Sequence, residues 1–130
     1  MKETIEALVL IAKMGTKVVA ALADDGKIDF GEGIDLGMTS LKFIGVFKSI
    51  KEIKEELKGY NEEKKNALVL AFKTEFDLPD DEVEFKVETG VEFLLNLYLY
   101  IIGEKAAAEV TQLKTQVKAA AKLPTNVNVA

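Results

Sequence analysis

The stretch LKFIGVFKSIKEIKEELKG, residues 41–59, decides the fold class. Ile44, Phe47, Ile50, Ile53 and Leu57 recur every three or four positions, which sets them in one stripe of an α-helix. Glu and Lys fill the opposite side at spacings that pair opposite charges along a helix surface. Gly59 follows as a natural left-handed stop, so the pattern predicts a regular helix from Leu41 to Lys58.

Working toward the C-terminus, Asn61 is placed to cap a third helix carrying Leu68, Leu70, Phe72 and Phe76. Asp77-Leu78-Pro79-Asp80-Asp81 ends that helix and starts a fourth. Asp81 and Glu84 have capping-box spacing there, and acidic residues in a first turn suit the helix dipole. The fourth helix is expected to run to about Ile102, with Glu88, Glu92 and Asn96 on its wet side and Gly90 as a candidate kink. Its run from Phe93 to Ile102 reads as a helix buried on most sides, and Gly103 ends or bends it. The last helix, Glu104 to Lys122, carries Val110, Leu113, Val117 and Ala120 as a narrow stripe at coiled-coil spacing. Lys114, Lys118 and Lys122 line another face near the favourable end of the dipole. Residues 104–122 are therefore a candidate partner-binding helix, and Pro124 opens a short tail, residues 124–130.

Toward the N-terminus, Lys2 to Ala23 reads as a helix with its polar residues gathered into about a third of the circle. Ile5, Leu8, Ile11, Met14, Val18, Val19 and Leu22 occupy the rest. A helix that apolar belongs at the centre of a bundle or against another subunit. Asp24-Asp25-Gly26-Lys27 makes a turn, because Asp-Gly tolerates positive φ, and Asp29 with Glu32 has the spacing to cap the next helix. Gly31, Gly33 and Gly37 predict a short or loose helix that restarts near Thr39 or Ser40. The expected architecture is an all-α bundle of four to five helices, one domain over residues 1–123, with a helix-loop-helix corner near Asp24–Glu32.

Asp25-Gly26-Lys27-Ile28-Asp29-Phe30-Gly31-Glu32 resembles the second half of an EF-hand calcium loop. With Gly26 at the sharp-turn position, Asp25, Asp29 and Glu32 fall where that family places oxygen ligands, and helices are predicted on both sides. The resemblance covers about 12 of the 130 residues and departs from the family at its first two ligand positions, which are Ala21 and Ala23. What it implies is a calcium site built on Asp25, Asp29 and Glu32, with Asp24 as a substitute ligand. The residues themselves favour a helix corner in which Ile28 plugs the core.

Composition narrows the chemistry. At 130 residues and 48% hydrophobic content the chain fits one domain with a real core. There is no cysteine and no histidine, so thiolate chemistry, disulfides, Cys-based zinc sites and His-dependent triads are excluded. Every basic side chain is lysine, and with a net charge of −5 the chain lacks both the guanidinium fork and the positive surface that nucleic-acid binding uses. Gly31, Gly33 and Gly37 match no phosphate-binding loop. Trp is absent, and paired carboxylates alone do not make a glycosidase without a sugar-binding surface. No catalytic residues and no cofactor are expected.

A second acidic cluster, Glu75, Asp77, Asp80, Asp81, Glu82 and Glu84, offers a cation site or a docking patch for basic partners beside its plainer role in an inter-helix loop. Glu3 and Glu6 stand where a signal peptide would be basic, and Phe93 to Ile102 is too short to span a bilayer. The last helix has no aromatic anchor for a membrane surface. The reading is a cytoplasmically made, non-catalytic structural or assembly protein with protein partners, as a homo-oligomer or in a larger assembly. Its lysine-only, cysteine-free composition fits a small phage virion or phage-associated component. The alternative is a calcium-binding helical module.

Overall fold

Asp77, Leu78 and Pro79 lie outside any helix, and from Asp80 the chain runs as one unbroken helix to Ile102. This helix organises the molecule. The computed structural model describes residues 1–14 and 36–125, which form five α-helices and no strand. In chain order they are α1 (Lys2–Met14), α2 (Leu36–Leu57), α3 (Glu62–Glu75), α4 (Asp80–Ile102) and α5 (Ala107–Ala121), the last preceded by a 3-10 turn at Glu104–Ala106. The fold is the all-α bundle expected. The helix-loop-helix corner at Asp24–Glu32 and the end of the first predicted helix lie outside the described residues.

Helix α4 packs against all four of the others, and its composition explains why. Every residue from Phe93 to Tyr98 is buried, so the helix is covered around its whole girth there. Burying each large apolar side chain in that run contributes about 1.5–3 kcal/mol. Gly90 lies within the unbroken helix and lets α1 come close. A Cβ built on it would stand 2.5 Å from Leu8 Cδ2, and Leu8 is itself buried. From α2 come Ile50, Ile53 and Leu57, from α3 Leu68, Val69 and Phe72, and from α5 the stripe Val110, Leu113, Val117 and Ala120.

The termini follow their local chemistry. Asn61 caps α3, its Oδ1 accepting from Lys64 N at 3.0 Å. Gly59 and Gly103 adopt φ of 70° and 91°, the left-handed conformations that end α2 and α4. Three expectations fail. Pro79, not Asp81, is the N-cap residue of α4, and Asp81 Oδ1 turns to the neighbouring Glu82 N–H. The φ of −59° at Pro79 already suits a helix start, so the helix begins two residues earlier than the capping-box spacing suggests. Leu70 and Ile44 stand 41% and 44% exposed, displaced from the core by Val69 and Val46. Asn96 is buried rather than wet, with neither side-chain polar atom hydrogen-bonded to a described residue.

Candidate functional site: an acidic cleft beside a set of polar fold contacts

Polar groups on the described surface fall into two kinds, those consumed by helix ends and those opening into a cavity. Glu56 on α2 belongs to the first. Its carboxylate accepts from Glu3 N at 3.1 Å, Thr4 N at 2.8 Å and Thr4 Oγ1 at 2.7 Å. Those amides are unpaired donors in the first turn of α1, so a side chain from another helix supplies the cap that α1 lacks locally. Partial burial pushes the Glu56 carboxyl up, but the Thr4 hydroxyl and the two amides outweigh it and hold it below the usual range. The C-terminal end of α2 is treated in kind: Lys64 Nζ donates to the carbonyls of Glu56, at 2.7 Å, and of Lys58.

Lys54 ties α2 to α5. Its ammonium pairs with Glu109 and, at 3.0 Å, with Glu55, and lies 5.8 Å from the centre of the Tyr98 ring. The hydrogen bond to Glu109, then that to Glu55, raises its pKa against the opposing effect of burial. Between α4 and α5, burial lowers the Lys114 pKa while the Glu92 carboxylate opposes the shift.

The second kind gathers at a cleft of about 200 Å³ where α3, α4 and α5 meet. Tyr60 lines it from the loop before α3 and Lys65 from the first turn of α3, while Asp81, Glu84, Phe85, Val87 and Glu88 line it from α4. Val117 and Ala121 complete it from α5. Helical spacing explains the α4 contribution, since positions 81, 84, 85 and 88 share one face. Lys65 is almost wholly buried, and its Nζ donates to Leu123 O at 2.6 Å, a cation on a carbonyl just beyond the end of α5. The Thr125 hydroxyl donates to Glu84. Tyr60 is 5% exposed, and its hydroxyl has no hydrogen bond to a described residue. Burial first, and the Glu88 carboxylate second, raise the Tyr60 pKa, which keeps the phenol protonated and able to donate. Phe85 stands at the cleft 50% exposed.

Asp25, Asp29 and Glu32, the ligand positions of the EF-hand-like loop, lie outside the described residues. Of the second acidic cluster, Asp81 and Glu84 reach the cleft, whereas Asp80 pairs with Lys73. Among the described residues no group of three or more metal-binding side chains is placed to hold one ion. No helix of the described residues is long and apolar enough to cross a membrane. The sequence reading missed Tyr60, Lys65 and Phe85 as cleft residues. Lys65 gave one signal: a lysine three positions before Leu68 sits on the apolar face of α3. Comparison of the chain with protein-family models, curated proteins and solved structures finds no match.

Proposed function

We propose that this chain is a non-catalytic assembly component that acts through helix packing, with protein partners that include a second copy of itself. The observation that carries the reading is the end of α4. Phe93 to Tyr98 are buried and Leu99 packs against the core, yet Tyr100 and Ile101 beyond them are 61% and 41% exposed. Large side chains exposed at the end of a central helix form the kind of surface that association covers, and tyrosine is enriched among residues that anchor interfaces. The missing His and Cys support a non-catalytic role, because they remove the usual acid-base and nucleophilic groups. A small virion or phage-associated component, made in the cytoplasm, is the setting that suits the lysine-only composition.

Light scattering on the purified chain tests this. The expected mass is a multiple of 14.3 kDa, returning to a single chain when Tyr100→Ser and Ile101→Ser are combined. A wild-type mass of one chain at high protein concentration overturns self-association.

A further inference from the structure

We infer that the chain beyond α5, from Leu123 to Thr125, is a strap that lifts from the bundle as one unit, and that the two side chains holding it down, Lys65 and Glu84, pair with each other once it lifts. The inference does not depend on the apolar end of α4.

Helix α5 ends at Ala121, and the amides of Lys122 and Leu123 make its last turn, donating to the carbonyls of Ala119 and Ala120 at 3.3 and 3.1 Å. Pro124 has no N–H with which to extend the ladder. The chain is nevertheless held past the helix, and from two other helices. Lys65 on α3 donates from Nζ to Leu123 O at 2.6 Å, and Glu84 on α4 accepts from the Thr125 hydroxyl. Apolar burial adds little, since Leu123 is 44% exposed and Pro124 is exposed as well. A segment held by two side chains and little packing opens at a lower free energy than the core. The two contacts lie either side of Pro124, whose fixed φ stiffens the link between them, so they are lost together.

What the strap leaves behind gives it two positions. Lys65 is 3% exposed, and its ammonium has a neutral carbonyl as its partner and no ion pair among the described residues. A buried ammonium that lost this acceptor would be costly if nothing replaced it. Glu84 loses its donor in the same event. The two anchors carry opposite charge, come from helices packed on each other, and line one cleft of about 200 Å³. Asp81 and Glu88 line it too and hold the potential there negative, which keeps the ammonium in place. The docked strap keeps Lys65 and Glu84 on separate backbone and hydroxyl partners. The lifted strap lets them meet, and their pairing offsets part of what the two contacts contributed.

Native-state amide hydrogen exchange of the isotope-labelled full chain, read by NMR at Leu123 and Val117, tests this. The Leu123 N–H is bonded to Ala120 O and reports on the strap, whereas Val117 lies in the buried stripe of α5 and reports on the bundle. Thr125→Val is expected to speed exchange at Leu123 about tenfold, the effect of losing one hydrogen bond to a charged acceptor, and to leave Val117 unchanged. Lys65→Met is expected to speed Leu123 at least as much. The pairing is tested in the Thr125→Val background, where the docked contact of Glu84 is already gone. Adding Glu84→Gln there weakens only the lifted form, so exchange at Leu123 should slow about threefold, the worth of a modest ion pair. Unchanged exchange at Leu123 in either single variant identifies ordinary fraying of the helix end and overturns the strap. Equal acceleration at Val117 in Thr125→Val overturns its independence from the bundle. Failure of Glu84→Gln to slow Leu123 in that background overturns the exchange of partners.

Discussion

Glu56 and Glu88 are both helix carboxylates with a nearby hydroxyl, yet they stand in opposite circumstances. Glu56 accepts from the Thr4 hydroxyl and from two amides of α1, so its charge is fully used in holding the N-terminus of that helix. Glu88 lies in the cleft with Tyr60, acts on its phenol electrostatically, and has no hydrogen bond to it. One carboxylate completes the fold; the other lines a cleft. The difference teaches that burial and charge alone do not mark a site. What marks it is whether the polar atoms around the charge already have partners.

The largest effect should come from breaking the satisfied side of this contrast. Glu56→Ala leaves the α1 amides and the Thr4 hydroxyl without their acceptor, and Thr4 is fully buried. A loss of about 2–3 kcal/mol is expected in urea unfolding. The same contact sets a pH dependence. Because the Glu56 pKa is lowered on folding, its stabilisation is complete above the unfolded carboxylate value and is lost as pH falls through the folded one. Wild-type stability should therefore decline in acid more steeply than that of Glu56→Ala.

A smaller effect of opposite sign sharpens the rule at Asn96. This side chain is 2% exposed, and both its polar atoms lack a described partner. Unlike Tyr60 it lines none of the described cavities. Replacing it with a similarly sized apolar residue removes unpaired polar atoms from the core, so Asn96→Leu should gain about 1–2 kcal/mol in urea unfolding. A loss instead would mean that its amide is satisfied, and the contrast would need redrawing.

The sequence carried the all-α class because that class is written in local periodicity. The stripe Ile50, Ile53 and Leu57, the Asn61 cap and the glycine stops at 59 and 103 each depend on neighbours within a turn or two. Contacts that depend on a second helix were not legible. Glu56 looked like one more solvated charge on α2, since nothing local reveals that the first turn of α1 lies against it. Asn96 looked wet because it follows Glu88 and Glu92 at helical spacing, but α4 is covered there on every side. The cleft was half legible: the acidic run placed Asp81 and Glu84 together, while Tyr60 and Lys65 reach it from another helix and loop. Pro79 displaced the expected Asp81 cap because a residue already fixed near helical φ starts a helix without a side-chain acceptor.

The contrast is tested most directly by making one chemical change in both settings and measuring urea unfolding at neutral pH. Glu56→Gln should lose about 1–2 kcal/mol, because a neutral amide is a weaker acceptor for the α1 donors. Glu88→Gln should stay within about 0.5 kcal/mol of wild type, because its charge makes no hydrogen bond or ion pair among the described residues. Equal losses in the two variants would contradict the account, since the cleft carboxylate would then be part of the fold.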